Sequence, residues 1–206
     1  HYSDSRGIPE LRQKIAAYYG RQYGVAVDPG SEVLVSAGSK VLIYMAMLSV
    51  LNPGDEVVMH EPCWLSYPEQ ARLCGAVPKV IPYDVPPEAF AGYVSKRTRL
   101  FILNNPNNPA GRVYTAQQLS ALHALCRSHQ AYLLVDEAYS DFVLDQSFVS
   151  AGAVAREKDG LLIVNSLSKN LGMSGWRIGY LIAQGACINR VLKVDQHLIT
   201  CAPPVL

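Results

Sequence analysis

Apolar positions along the chain switch repeatedly between a helical and a strand spacing, and the switches outline an alternating α/β fold. Leu11, Ile15, Tyr18, Tyr19 and Tyr23 recur on one helix face, and Gly24 can close that helix. Val33-Leu34-Val35 reads as a strand. Ser36-Ala37-Gly38-Ser39-Lys40 then turns into an apolar helix that stops at Asn52-Pro53-Gly54-Asp55. Glu56 to Met59 and Val77 to Tyr83 are strand-like, with a helical stretch around Tyr67 to Leu73 between them, and Leu100 to Leu103 is a further strand. Thr115-Ala116-Gln117-Gln118 is a capping box that starts a helix running to about His129. Tyr132 to Val135 is the next strand, ending on Asp136-Glu137. Leu161 to Val164 follows, then Gly179 to Ala183, then a last helix through Leu192 and Leu198. This alternation predicts a three-layer αβα domain with a mainly parallel central sheet. Several strands deliver polar residues just past their C-terminal ends, where open α/β sheets bind ligands.

Composition adds a sizeable core and removes several classes of partner. Half of the 206 residues are hydrophobic, enough for one large α/β domain. The net charge is +1 and there is no long run of Lys or Arg. That argues against nucleic acid or an anionic membrane as a partner and leaves a small molecule. The five cysteines (Cys63, Cys74, Cys126, Cys187, Cys201) are odd in number and widely spaced, with no Cys-x-x-Cys. They read as buried, reduced thiols of a cytoplasmic protein, not as a disulfide frame or zinc site, so no metal is expected. The longest apolar stretch, Val41 to Leu51, is too short to span a bilayer, and no signal-peptide pattern opens the chain. His1 at one end and a helix-like pattern running nearly to the other make the chain, by expectation, a piece of a larger protein.

The candidate chemistry centres on Lys169. Asn165-Ser166-Leu167-Ser168-Lys169 runs off the apolar strand Leu161–Val164, and Arg177 follows closely. This places an amine, two hydroxyls and a guanidinium at one strand end. A ligand with both an aldehyde and a phosphate, such as pyridoxal 5′-phosphate (PLP), suits that set. Lysine can form a Schiff base, while Ser and Arg hydrogen-bond phosphate oxygens. Taken alone, the same residues also read as helix-start serines beside a solvated lysine. Gly38-Ser39-Lys40 offers helix-start N–H groups to a phosphate, or is an ordinary turn. Asp136 ends an apolar strand, so its carboxylate needs a partner. A protonated pyridine nitrogen at about 4 Å and an effective dielectric near 20 would be worth roughly 4 kcal/mol, about three pKa units. Capping a loop or pairing with an arginine are the alternatives. Asn108 sits in the stiff run Asn105-Pro106-Asn107-Asn108-Pro109-Ala110-Gly111, which either holds its amide against a phenolate oxygen or simply makes a turn.

Together these residues resemble the fold-type I PLP enzymes, in particular the class I/II aminotransferases. The resemblance follows the chain in order: Tyr2 with Gly7-Ile8-Pro9-Glu10-Leu11-Arg12, Gly38-Ser39-Lys40, Pro62-Cys63-Trp64-Leu65-Ser66-Tyr67, Asn105-Pro106-Asn107-Asn108-Pro109, Asp136-Glu137-Ala138-Tyr139, and Ser166-Leu167-Ser168-Lys169 with Gly175-Trp176-Arg177. It implies that Lys169 binds PLP as a Schiff base and later moves the proton, and that Asp136 pairs with the pyridine nitrogen. It further implies that Asn108 and Tyr139 hydrogen-bond the phenolic oxygen and that Trp64 stacks on the ring. The phosphate would be held by the backbone of Ser39 and Lys40 with Ser166 and Arg177, and less directly by Ser168. Tyr2 matches a tyrosine that reaches the phosphate of the neighbouring subunit, which implies a homodimer with shared active sites. Residues 1–206 would then form the PLP-binding large domain, without the N-terminal segment and the C-terminal small domain. Ala110 stands where the family usually has Thr, and no residue here matches the arginine that binds the substrate carboxylate.

The activity implied is transfer of an amino group between an amino acid and a 2-oxo acid. The stretch Trp64 to Glu69 looks most like aspartate-type enzymes. Two other expectations share the cofactor: a C–S lyase, cyclopropane-forming synthase or decarboxylase of the same fold, and a PLP-sensing domain of a transcription regulator. Formation of pyridoxamine phosphate separates transamination from the first group, and the sequence upstream of His1 decides the second.

Overall fold

The computed structural model describes residues 2–144, 147–155 and 158–203. Seven strands form one sheet: β1 (Val33–Ser36), β2 (Glu56–His60), β3 (Val77–Ile81), β4 (Thr98–Asn104), β5 (Tyr132–Asp136), β6 (Leu161–Ser166) and β7 (Gly179–Ala183), in the order β1-β7-β6-β5-β4-β2-β3. Pairing is parallel from β3 through β6 and antiparallel where β7 meets β6 and β1. The mainly parallel αβα fold is therefore as expected. The third strand ends at Ile81, two residues before the expected Tyr83, at Pro82, which has no N–H to continue a ladder.

Helices cover both faces. On one lie α1 (Pro9–Tyr23), α4 (Ala116–Ser128) and the short α5 (Ala151–Val154); on the other, α2 (Ser39–Val50), α3 (Ser66–Leu73) and α7 (Gly185–Leu198). A further single turn, α6 (Leu167–Asn170), follows β6. Alternate residues of each strand feed the two cores. Val33, Val35, Phe101, Leu133, Val135 and Ile163 pack beneath α1 and α4, whereas Leu34, Ile102, Leu134, Leu162 and Leu181 pack beneath α2 and α7. Strands so enclosed read as continuous apolar runs because both pleat faces are dry. The α4 capping box is formed in both directions between Thr115 and Gln118. Gly24 ends α1 at φ 67°, the left-handed conformation glycine adopts most easily.

Of the five free cysteines, Cys126 and Cys187 are buried and the other three only partly so, which narrows the expectation of buried thiols to two. Among the described residues, no helix is long and apolar enough to cross a membrane, and no group of three or more His, Cys, Asp or Glu could hold a metal ion.

Candidate functional site

Topology brings the polar ends of three parallel strands to one place. Asn104, Asp136 and Ser166 close β4, β5 and β6, and all three line a cavity of about 320 Å³ with Ser39, Lys40, Trp64, Tyr67, Asn108, Tyr139, Ser168, Lys169 and Arg177. Every predicted site residue except Tyr2 is in that lining. Tyr2 is 86% exposed and lies outside it. A larger cavity of about 470 Å³ lies behind the Lys169 turn, between α1 and α6, with largely apolar walls; the converging polar groups belong to the smaller one.

One end of the cavity is built to meet an anion. Gly38 caps α2 without a side chain, at φ 99°, and no acidic residue occupies the first turn, so the helix N-terminus keeps its positive end bare. A Cβ on Gly38 would stand 2.5 Å from Arg177 Nη2. The glycine therefore lets the guanidinium and the helix N-terminus converge. β7 explains how they meet: pairing antiparallel with both β1 and β6, it sets Gly179 opposite Ser36 and Ser166, and a side chain there would collide with Ser39 N. Arg177, just before β7, holds a left-handed φ of 54° and donates from Nη1 to Ser174 O at 2.8 Å. Such a non-glycine conformation is sparsely populated and persists where its surroundings enforce it.

Asp136 forms the floor. Its carboxylate accepts from the Tyr67 hydroxyl at 2.8 Å and from Ala138 N–H at 3.1 Å. Burial pushes its pKa up, and these two donors oppose the shift. The sequence alternatives for Asp136 are thus resolved in part: it caps its own loop, and its side-chain partner is a tyrosine and no arginine. Tyr67 and Asn104 line the cavity but are absent from the residues predicted from sequence. In sequence Tyr67 is legible only as the start of a helical stretch and as part of the motif it shares with Trp64.

The opposite wall is the Asn108–Tyr139 pair, whose Nδ2 and Oη lie 3.3 Å apart. Asn104 fixes that wall, since its Oδ1 accepts from Asn108 N–H at 2.6 Å while its Nδ2 donates to Asp136 O at 2.9 Å. Asn107 Nδ2 donates to Pro62 O at 3.0 Å and ties the same loop to the segment carrying Trp64. Trp64 packs edge-to-face on Tyr67, and Lys40 Nζ stands 4.9 Å from its ring centre.

Lys169 projects from the first turn after β6 and is exposed. Its Nζ is 5.9 Å from the Tyr139 ring centre. Ser166 caps this turn by accepting from Ser168 N–H at 3.2 Å. The helix-start reading of the serines and their place in the cavity wall are therefore both realised.

The family model for aminotransferase class I and II matches residues 1–205. The chain is 37% identical over 205 residues to the probable aspartate/prephenate aminotransferase of Aquifex aeolicus, covering 96% of this chain and 51% of that protein. It is also 37% identical over 194 residues to an arginine–pyruvate transaminase of Pseudomonas aeruginosa, covering 90% of this chain and 49% of that one. The crystal structure of the aromatic aminotransferase from Pyrococcus horikoshii superposes with a TM-score of 0.93 at 30% identity, over 98% of this chain and 56% of that chain. The chain thus spans about half the length of the curated relatives it matches.

Proposed function

Because the chain belongs to the class I and II aminotransferase family, we propose that it is the cofactor-binding large domain of a PLP-dependent aminotransferase that moves an amino group between an amino acid and a 2-oxo acid. The observation that carries the cofactor assignment is the cradle at Gly38, where Arg177 and the bare α2 N-terminus close on a space that a Cβ would fill. A buried acid stands on the cavity floor. The donor set fits PLP: an anion site for the phosphate, a carboxylate for the ring nitrogen, and an amine on the cavity wall.

When bound, PLP supplies an electrophilic carbon for amines and a protonated ring that withdraws electrons from a substrate carbon. Ser39 and Lys40 N–H, Ser166, Ser168 and Arg177 hold the phosphate, with Arg177 contributing charge-assisted donors. Asp136, whose carboxylate form the Tyr67 hydroxyl and Ala138 N–H favour against the effect of burial, would pair with the ring nitrogen. Asn108 and Tyr139 would hydrogen-bond the phenolic oxygen, and Trp64 would supply a stacking surface for the ring. Lys169 Nζ, exposed on the cavity wall, would move a proton at the substrate α-carbon. Tyr2 serves the neighbouring subunit's phosphate in a homodimer, a role supported by its exposure away from its own cavity. The free thiols suit a cytoplasmic location.

The test is a single turnover of the full-length, PLP-loaded protein with aspartate, the amino acid in the relatives' names. One equivalent of 2-oxo acid with formation of pyridoxamine phosphate is expected. Release of pyruvate and ammonia without pyridoxamine phosphate would instead identify a lyase.

A further inference from the structure

Beside Asp136, and facing away from the cavity, Glu137 is a fully buried acid that the proposed chemistry does not use. Its carboxylate accepts from Tyr19 Oη of α1 at 3.1 Å, from Ser150 Oγ at 3.0 Å and from Ala151 N–H of α5 at 2.8 Å. The tyrosine continues the network. Asn165 Nδ2 lies 3.4 Å from Tyr19 Oη and 3.3 Å from Ser140 Oγ, and Asn170 Nδ2 donates to that same serine at 3.1 Å. Asn165 Oδ1 also accepts from Ser166 N–H at 2.7 Å. Both ends of the Lys169 turn, Asn165-Ser166 before it and Asn170 after it, are therefore tied to groups that lead back to one buried carboxylate.

Resting on the reading of Lys169 as the cofactor lysine, we propose that Glu137 is a positioning residue for Lys169, acting through Tyr19, Asn165, Ser140 and Asn170. Paired buried polar groups rigidify one another, and both oxygens of Glu137 are paired. Oxygens alone can accept from Tyr19, Ser150 and Ala151 together. A carboxylate supplies two; an amide supplies one and turns its NH₂ toward donors. Titratable groups facing Glu137 are its chain neighbour Asp136 at the end of β5, Tyr19 and Tyr23 of α1, and Tyr180 of β7. All are neutral or anionic, so nothing cationic among them offsets the buried charge. Glu137 therefore has a pKa of about 7, raised chiefly by burial, which gives the network a second state near neutrality.

The experiment is hydrogen–deuterium exchange of the full-length protein in cofactor-free form, comparing Glu137→Gln, Tyr19→Phe and Ser150→Ala with the unaltered protein. Glu137→Gln and Tyr19→Phe should each speed exchange across 165–171 by about ten-fold, the loss of one hydrogen bond's net worth. Ser150→Ala, which touches Glu137 but not the route to Lys169, should loosen 150–155 and leave 165–171 unchanged. In the loaded protein, Glu137→Gln should shift the pH midpoint of the lysine-linked cofactor's visible band, and Ser150→Ala should not. Unchanged exchange at 165–171 in Glu137→Gln, or an equal effect in Ser150→Ala, would overturn the proposal. Exchange needs no cofactor, so a protein that fails to bind PLP sinks the functional reading and leaves this one standing.

Discussion

Replacing Tyr67 with Phe removes a single hydroxyl and tests what favours the charged form of Asp136. Tyr67 and Asp136 are 1% and 5% exposed, so water is a poor replacement for the lost donor. A hydrogen bond to a buried carboxylate at 2.8 Å is worth about 1.5–3 kcal/mol, equivalent to about one to two pKa units. Burial already raises Asp136, with Tyr67 and Ala138 N–H pulling the other way. Losing Tyr67 must therefore raise it further. A group whose folded pKa is raised has its stabilising contribution in full below the unfolded value and loses it as pH rises through the folded one. Tyr67→Phe moves that loss to higher pH and deepens it. In cofactor-free protein, the Asp136 carboxyl carbon should titrate about one to two pH units higher by NMR. The stability deficit of the variant in urea should grow with pH toward about 1.5–3 kcal/mol. A midpoint that stays put or falls, or a deficit equal at both ends of the pH range, would refute the reasoning.

Three further outcomes follow from the geometry. Gly38→Ala places a Cβ 2.5 Å from Arg177 at a φ of 99°; PLP affinity should fall at least about ten-fold with a stability loss of about 1–2 kcal/mol, and unchanged affinity by equilibrium titration would remove Arg177 from the cradle. Glu137, raised to about 7, should cost the fold about 3 kcal/mol as pH climbs from the ordinary carboxylate value through neutrality, a decline that urea unfolding at several pH values should find missing in Glu137→Gln. Thr115→Ala removes the side-chain arm of the α4 cap, which accepts from Gln118 N–H, and leaves the Thr115 N–H bonded to Gln118 Oε1; it should lower stability by about 1 kcal/mol without altering cofactor affinity.

Much of this was legible in sequence for identifiable reasons. Helix ends announced themselves where a side chain or glycine satisfies free backbone groups, as at Thr115 and Gly24. Strands enclosed on both faces appeared as apolar runs, and their polar last residues, Asp136 above all, marked the site. What escaped were features set by neighbours distant in sequence. No local pattern reveals that β7 inserts antiparallel between β1 and β6, yet that insertion is what brings Ser36, Ser166 and Arg177 to one end. The short α5 and the seven-residue 3₁₀ helix Pro87–Tyr93 are too brief to show a period. Tyr67 reads in sequence only as the start of a helix; only the fold reveals that its hydroxyl reaches Asp136 across the sheet end.

The central claim is that Lys169 carries the cofactor. Full-length protein loaded with PLP, reduced with borohydride and digested should yield one modified peptide, with a pyridoxyl group on Lys169. Lys169→Ala should show neither the visible band nor the modified peptide. Modification at another lysine, or a reducible linkage retained in Lys169→Ala, would contradict the account.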